Sequence, residues 1–477
     1  MPFTVSWNGQ PLPIHPARVS STPINQIWSG HQRPVEQTEV AWFVTFDLVE
    51  GGELTIIPDE TVSEEALTVL PLSFKPPMRR EGRAWIVHIC KPRHFTVMFG
   101  KKGSPLHVFA NPPFDETRKE NDIEFGPGEH HVGVILPKSG QTVRIAEGAV
   151  VYGAIIVAHA RNVRIVGRGI VDGSFLERSD HFSEAYRAAL AAGLPEGFYG
   201  AEMAVTTFTA AWSVNVTVDG VIFRDPPRWA AVVRAQCRSI VFNNVKIIGC
   251  WRYNSDGIDV CSSVNVSIRN SFIRSFDDCI VARGAYLDCD EGPTCGVSAD
   301  NCVLWCDWGK NLEVWAGHKP CHIENIRYSN IACIHTTHTV CDVTTWFGSP
   351  DTHIRNVSFE NIEVDYHCPR PMPIIQNTTT DNASCSGEQK SSEVIAVTCG
   401  RLGRYLGNQK WEPADDLSGL QIRYENVAFK RFRFWGDVPR TKGIAAATVF
   451  PHTIEGLVVE DLPDDIDMEI KGAVKLG

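Results

Sequence analysis

The sequence predicts an all-β protein in which an N-terminal antiparallel β-sandwich is followed by a right-handed parallel β-helix. Short runs that alternate apolar with polar residues recur along the chain, as expected of strands with one buried face. The central apolar residues of six such runs are separated by 24, 26, 31, 26 and 31 residues. They are Val216, Ile240, Val266, Val297, Ile323 and Ile354. A period kept through insertions is typical of a solenoid, whereas a set of sandwiches would not keep one register for so long.

The N-terminal part of the chain contains strand-like runs that lack this period. They are rich in aromatic and β-branched residues at spacings typical of a sandwich. These runs are residues 40–46, 53–57, 84–89 and 95–99. A Gly-Pro-Gly sequence at 126–128 marks a junction. We therefore predict a β-sandwich domain of residues 1–125 and a catalytic β-helix domain of residues 126–477.

Two insertions interrupt the predicted coils. Residues 183–192 begin with a serine suited to cap a helix and are rich in alanine, which predicts a short helix. Residues 366–416 are rich in Pro, Ser, Thr, Asn and Gly, which predicts a long loop or an excursion from the coil. Either insertion can form a wall of a binding cleft, and the longer one can equally be a disordered tip.

Composition narrows the function classes. The 477 residues are 43% hydrophobic and 21% charged, as in a globular protein, and the formal net charge is −11. That charge argues against nucleic acid or an anionic membrane as a partner, and no apolar run reaches the ~20 residues of a membrane helix. The fifteen cysteines lack a disulfide-framework spacing and no secretory signal is visible, so the expected compartment is the cytoplasm, with secretion as the alternative if a signal has been removed. No metal or other cofactor is expected, and the oligomeric state stays open.

Three aspartates carry the chemical signal. Asp256 lies in the sequence NSDGID and is followed 21 and 22 residues later by Asp277 and Asp278 in the sequence FDDCI. If each repeat is one coil, residues one coil apart stack at ~4.8 Å. Carboxylates so close raise one another's pKa and provide one acid and one or two bases, the equipment of a glycoside hydrolase. The alternative is that these aspartates are turn residues or part of a ladder like those formed by asparagine. However, clustering three carboxylates costs folding free energy, which favours a function for them.

The sequences DPPRW at 225–229, NSDGID at 254–259 and FDDCIVARG at 276–284 resemble those of polygalacturonase-type glycoside hydrolases (family twenty-eight). The resemblance extends over about residues 141–457, and the preceding sandwich looks more like that of dextranase- and isopullulanase-type hydrolases, which share the three-aspartate layout. The resemblance to the polygalacturonase-type hydrolases implies that Asp277 protonates the glycosidic oxygen as general acid. Asp256 and Asp278 would then hold and deprotonate the attacking water, with inversion of the anomeric centre.

The chain departs from that family at two places. Lys310 stands where the family has the histidine of a Gly-His-Gly motif, and no Arg-Ile-Lys element for a substrate carboxylate is recognisable at 336–342. A neutral glycan is therefore the expected substrate. The candidate substrate-binding residues are Arg252, Tyr253, Arg283, Lys310, Glu313 and Trp315. The alternatives are a polygalacturonase acting on galacturonate, a Ca²⁺-dependent β-helix polysaccharide lyase and a non-catalytic carbohydrate-binding solenoid.

Overall fold

The structure is a computed structural model that describes most of the chain. The described residues are 2–21, 34–59, 67–100, 105–114, 122–178, 181–200, 203–285, 287–316, 319–336, 339–345, 351–365, 374–378, 382–386, 395–399, 403–405, 411–413, 422–436, 444–448, 453–463, 468–471 and 474–477. Nearly all the regular structure within them is β-strand. The predicted all-β class is therefore confirmed.

Two five-stranded sheets at the N-terminus enclose one apolar core. The first sheet consists, in spatial order, of Gln10–Pro11, Phe3–Trp7, Gly52–Pro58, Ala84–Ile89 and Met78–Glu81. The second consists of His15–Ser20, Thr38–Asp47, Leu106–Asn111, Arg93–Phe99 and Leu67–Leu70, with a 3-10 turn at Val35–Gln37. Their strands pair antiparallel, except that Thr38–Asp47 and Leu106–Asn111 are parallel. The predicted sandwich is confirmed, with this one parallel pair as an addition.

A 27-stranded sheet follows, and its parallel pairing winds the chain into a β-helix with three faces. The strands Ile123–Phe125, Gly128–Ile135, Thr142–Ile145 and Ala149–Ala158 begin it. Since Ile123–Phe125 already pairs with Thr142–Ile145, the large sheet begins before residue 126. The division into domains at 125/126 stays a prediction.

The remaining strands stack coil upon coil. The first face contains Phe208–Ala211, Ala231–Arg234, Ile258–Cys261, Ile280–Arg283, Leu312–Ala316, Cys341–Thr345, Ile395–Cys399, Ile444–Thr448 and Met468–Lys471. The second contains Arg161–Gly167, Val214–Asp219, Arg238–Asn243, Val264–Arg269, Thr453–Glu460 and Val474–Leu476. The third contains Ile170–Asp172, Ile222–Arg224, Lys246–Ile248 and Phe272–Ser275. Four long strands run through the second and third faces: Thr294–Cys306, His322–His335, Thr352–Val364 and Ile422–Phe434.

The predicted repeat sets the register between coils. Val216 lies beside Ile240, Ile240 beside Val266, and Val266 beside Val297. All four side chains point inward and are fully buried, so each coil adds one layer to a continuous apolar core. The β-helix predicted from the spacing is confirmed.

Asparagines turn the chain near the start of the second face. Their left-handed backbone, with φ of 55° to 58°, is one that asparagine tolerates better than most residues. These residues, called the asparagine corner below, are Asn162, Asn215, Asn265, Asn325, Asn356 and Asn426. Amide groups on successive coils bond to one another, as when Asn356 Nδ2 donates to Asn325 Oδ1 at 3.1 Å. This corner is uncharged, and Ser239 and Gly296 take the same left-handed position on two intervening coils.

The two insertions take different forms. Ser183 caps the helix Glu184–Ala191 by accepting a hydrogen bond from the backbone N–H of Tyr186, as predicted for this segment. In the longer insertion the described residues are not one loop. They form the antiparallel pair Ile374–Thr378 and Asn382–Ser386, the first-face strand Ile395–Cys399, and the pair Gly403–Tyr405 and Trp411–Pro413. The predicted loop or excursion is wrong at 395–399, because an apolar β-branched run there completes a coil. The residues of the insertion between these strands lie outside the described residues.

The sandwich packs on the third face of the β-helix. Phe109 of the sandwich contacts Phe272, with ring centroids 5.0 Å apart. A buried lysine reinforces the contact, since Lys246 Nζ donates to Asn111 Oδ1 at 2.8 Å. Burial lowers the pKa of Lys246 well below its usual value. The sandwich and the β-helix are therefore joined by both apolar and polar contacts.

Candidate active site

The three predicted aspartates meet where the third face passes into the first. Asp256 precedes the strand Ile258–Cys261, and Asp277 and Asp278 precede the next strand, Ile280–Arg283. The two turns stack directly, since the backbone N–H of Gly257 donates to the carbonyl oxygen of Asp278 at 2.8 Å. All three side chains are buried or nearly so. The spacing of one repeat thus brings these carboxylates together.

Arg283 joins two coils of the site. Its Nη2 donates to Asp256 Oδ2 at 3.0 Å and its Nε donates to Asp259 Oδ1 at 2.6 Å. The same Nη2 lies 3.8 Å from Asp278 Oδ2. Its guanidinium also lies 4.8 Å from the ring centroids of both Trp229 and Trp315. This arginine is therefore held by carboxylates and aromatic rings at once.

Lys310 approaches Asp278 from the following coil. Its backbone N–H donates to Asp278 Oδ1 at 2.8 Å, and its Nζ lies 3.8 Å from the same oxygen. The ammonium donates to Glu313 Oε1 at 2.7 Å and lies 4.0 Å from Asp342 Oδ2. Asp278 consequently receives both a hydrogen bond and a nearby positive charge from one residue.

Asp277 has a different environment. It accepts a hydrogen bond of 3.2 Å on Oδ2 from Asn254 Nδ2. Gly309 of the next coil packs tightly against it, because an added Cβ would lie 2.6 Å from Asp277 Oδ1. Glycine is therefore required at 309 for the two turns to approach this closely.

The electrostatics separate the three aspartates. Burial, together with the charge of Asp278, raises the pKa of Asp277 to about 7. Burial acts on Asp278 in the same direction, but the charges of Lys310 and Arg283 outweigh it and hold its pKa below the usual 3.8. The pKa of Asp256 is raised well above 3.8 by burial and by the neighbouring carboxylates. A proton-bearing carboxyl therefore lies beside an ionised one at neutral pH, the division of labour that acid–base catalysis uses.

Four further predicted residues are located as follows. Glu313 and Trp315 lie on the first face within the site, in contact with Lys310 and Arg283 respectively. The Tyr253 ring contacts that of Trp308, at 5.9 Å between centroids, beside the aspartates. Arg252 extends away from them.

Arg252 bonds instead to the preceding coils. Its Nη2 lies 3.4 Å from Asp225 Oδ1 and donates to the carbonyl oxygen of Ser174 at 3.3 Å. Its guanidinium also lies over the ring of Trp251 at 5.3 Å. Among its contacts in the described part of the chain, none is with the three aspartates, although the sequence places it only four residues before Asp256.

Two acidic residues of the site, Asp259 and Asp342, were not among the sequence candidates. They project with Glu313 from one column of the first face, in register across coils, with Val281 between Asp259 and Glu313. Burial raises the pKa of Asp259 to about 6 despite its bond to Arg283, and raises that of Glu313 well above 4.5. The signal was present in the sequence, because Asp259 alternates with the inward-facing Ile258 and Val260.

The acidic corner is the name used below for these carboxylates and their two cations. Its members are Asp256, Asp259, Asp277, Asp278, Glu313, Asp342, Arg283 and Lys310. Among the described residues, no group of three or more His, Cys, Asp and Glu side chains has an arrangement suited to hold a metal ion. No helix among them is long and apolar enough to cross a membrane.

Known proteins resemble this chain in sequence pattern and in fold. The family model described as glycosyl hydrolases family 28 matches residues 154–399, more than half of the chain. No curated protein sequence matches. The structure of Dex49A from Penicillium minioluteum is similar to 92% of this chain over 89% of its own, with 13% identity and a TM-score of 0.58, which shows a shared fold.

Two polygalacturonase structures also align. The family 28 exopolygalacturonase from Yersinia enterocolitica has 15% identity, covers 95% of this chain and 98% of its own, and has a TM-score of 0.43. The polygalacturonase from Erwinia carotovora has 15% identity, covers 74% of this chain and 89% of its own, and has a TM-score of 0.45.

Proposed function

The chain belongs to the glycosyl hydrolases of family 28, and for this glycoside hydrolase we propose an inverting mechanism carried by Asp277, Asp256 and Asp278 on a neutral glycan. The observation that carries the proposal is the opposite pKa shift of two adjacent carboxyls, Asp277 and Asp278. Inversion requires an acid on one side of the glycosidic bond and a base with its water on the other. The acidic corner supplies both in one buried cluster.

Asp277 is the proposed general acid. With a pKa near 7 it keeps its proton at the pH where the neighbouring Asp278 is ionised. Its hydrogen bond from Asn254 and its contact with Gly309 fix the carboxyl relative to both flanking coils. In the proposed step the Asp277 proton passes to the glycosidic oxygen as the bond to the anomeric carbon breaks.

Asp278 and Asp256 are the proposed water-activating pair. Both lie close to Arg283 Nη2, at 3.8 and 3.0 Å respectively, so the guanidinium orients their carboxylates toward a common space. Asp278 is the better base by ionisation, because Lys310 and Arg283 keep it charged. The attacking water loses one proton to this pair and adds to the anomeric carbon from the face opposite Asp277.

The charge of the wall favours a neutral glycan. A uronic acid needs a cationic partner with free hydrogen-bond donors. The guanidinium of Arg283 donates hydrogen bonds to Asp256 and Asp259. Lys310 donates from Nζ to Glu313 and from its backbone N–H to Asp278. Glu313 and Asp342 lie beside each other on the coils that follow the aspartates and add further carboxyl groups to the wall. Neutral hydroxyl groups can bond to these carboxyl groups, whereas a substrate carboxylate would be repelled by the ionised Asp278.

A panel of neutral and acidic oligosaccharides tests the proposal, with products separated by chromatography for wild type, Asp277→Asn, Arg283→Ala and Lys310→Ala. We expect hydrolysis of a neutral member and its loss in Asp277→Asn. Turnover of oligogalacturonate that collapses in the Arg283 and Lys310 variants, without turnover of any neutral member, would overturn the neutral substrate in favour of galacturonate. Unsaturated products lost on adding a chelator would indicate a lyase instead.

A further inference from the structure

We propose that the sandwich contributes to catalysis in the hydrolase, because its residue His107 positions the base Asp278 through Arg274 and the turn of residues 307–311. The inference rests on the role of Asp278 given under the proposed function. His107 and Arg274 are positioning residues in this scheme, since the base is reached through the turn. The connection runs through four buried contacts and the covalent turn that joins Asp307 to Lys310.

The first contact fixes the histidine. His107 lies on the sandwich strand Leu106–Asn111, fully buried, with Nδ1 2.7 Å from Thr96 Oγ1 and Nε2 3.2 Å from Arg274 Nη1. A guanidinium can only donate, so Nε2 accepts and the ring proton is on Nδ1. Burial and the charge of Arg274 hold the pKa of His107 well below 6.5. The ring therefore stays neutral and keeps one tautomer at working pH.

The second contact is a buried ion pair. Arg274 is 1% exposed and extends two nitrogens toward Asp307, with Nε 3.4 Å from Oδ2 and Nη2 3.5 Å from Oδ1. These bonds are long, and Trp305 supplements them. Its indole N–H donates to Asp307 Oδ1 at 2.8 Å and its ring lies 4.3 Å from the guanidinium. Arg274 thus needs His107 to hold its far side while it holds Asp307.

The third and fourth contacts lead to the base. Asp307 begins the turn that carries Lys310, and its backbone N–H donates to the carbonyl oxygen of Ser275 at 3.0 Å. Three residues later the Lys310 N–H donates to Asp278 Oδ1 at 2.8 Å. Gly309, between them, packs against Asp277. A shift of this short turn therefore displaces the donor to the base and the neighbour of the acid together.

The charged groups that face Asp278 make the effect measurable. They are Lys310, Arg283, Asp256, Asp259, Asp277 and Glu313. Of these, only Lys310 lies on the turn that Asp307 begins. If the turn loosens, Asp278 loses the hydrogen bond and part of the positive charge of Lys310 while its carboxylate neighbours remain. Its pKa then rises, and the acid limb of the pH–rate profile moves to higher pH.

The test compares His107→Leu with Phe109→Leu, a substitution on the same sandwich strand at the same domain contact but outside the polar connection. His107→Gln is the conservative variant, because its amide oxygen can still accept from Arg274. The measurements are kcat and its pH profile on the panel glycan that the wild type cleaves fastest, and hydrogen–deuterium exchange of the peptide that contains residues 307–311. The exchange measurement needs no substrate.

We expect His107→Leu to lower kcat about 10- to 100-fold with little change in KM, as for a small displacement of a catalytic group. Its acid limb should move to higher pH and its 307–311 peptide should exchange faster. Phe109→Leu should leave both readouts as in the wild type, and His107→Gln should restore them in part. An acid limb and exchange rate unchanged in His107→Leu would overturn the connection. If Asp278→Asn kept full activity, Asp278 would not be the base and the proposed function would be wrong on that point. The exchange measurement would still show whether His107 holds the 307–311 turn.

Discussion

The asparagine corner and the acidic corner lie on the same β-helix but differ in the polar groups that they bring together. At the asparagine corner, neutral amides on successive coils bond to one another, as Asn426 does to Asn356 and Asn356 to Asn325. Each such bond contributes about 1 kcal/mol net and leaves no charge buried. At the acidic corner the chain instead buries carboxyl groups, and the pKa values of Asp256 and Asp277 rise because their ionised forms are poorly solvated.

The difference indicates that the asparagine corner serves the fold and the acidic corner serves the reaction. A solenoid needs only a residue that tolerates the turn, and asparagine meets that need at several coils. Buried like charges cost free energy unless cations compensate them, and here Arg283 and Lys310 do so only in part. A costly corner inside a regular fold therefore marks the site of function, and the following predictions probe this contrast.

The largest expected effect is on catalysis by Asp277. Asp277→Asn should lower kcat by several orders of magnitude on an unactivated glycan, because general acid catalysis alone provides about 10²–10⁴-fold. On a substrate with a nitrophenol leaving group the loss should be smaller, since that group departs without protonation. Steady-state kinetics on both substrates measures the difference. Equal losses would assign Asp277 to another role.

A second effect is the pH dependence of the wild type. Asp277 must be protonated, and its pKa is raised to about 7, so kcat/KM should fall about tenfold per pH unit above that value. Asp278 must be ionised, and its pKa lies below 3.8, so activity should persist down to mildly acidic pH. A rate that still rises between pH 7 and 9 would be inconsistent with an acid of this pKa.

Lys310→Met should shift both limbs in the same direction. The ammonium lowers the pKa of Asp277 and of Asp278, so its removal raises both and moves the whole profile to higher pH. We expect a shift of about one pH unit, as is usual for the loss of an adjacent opposite charge. Lys310→Arg is the matched control, since it keeps the charge and should keep the profile nearer to that of the wild type.

The smallest effect is expected at the asparagine corner. Asn325 has φ of 57° and accepts a hydrogen bond from Asn356, so Asn325→Ala should lower the free energy of unfolding by about 1–2 kcal/mol while kcat is unchanged. Asn325→Gly removes the same bond but tolerates the backbone, and should cost less. Chemical denaturation and steady-state kinetics check both variants. A loss of activity comparable to that of an acidic-corner variant would erase the contrast between the corners.

The sequence predicted the coil better than it predicted the contacts between coils. Buried positions such as Val216 and Ile240 recur at a period that fixes the register, and the same period brought Asp256 next to Asp277 and Asp278. Arg252 could not be located from spacing, because the turn that contains it directs its side chain toward Asp225. In a turn, position along the chain does not determine direction as it does in a strand.

The partners of Arg283 show the same limit. Arg283 was predicted to bind substrate, whereas its guanidinium donates hydrogen bonds to Asp256 and Asp259 and lies 3.8 Å from Asp278. Which outward side chains meet depends on the stacking of coils with insertions of different length. That stacking is set by the three-dimensional fold and is not visible in a local motif.

The measurement that tests the three-aspartate mechanism most directly is the anomeric configuration of the first product, followed by proton NMR during hydrolysis of the cleaved glycan. Direct attack by a water held between Asp256 and Asp278 predicts that the configuration opposite to that of the substrate appears first and that mutarotation produces the other anomer only later. A first product with the configuration of the substrate would mean a covalent intermediate on one of the carboxylates and would contradict the mechanism proposed for this site.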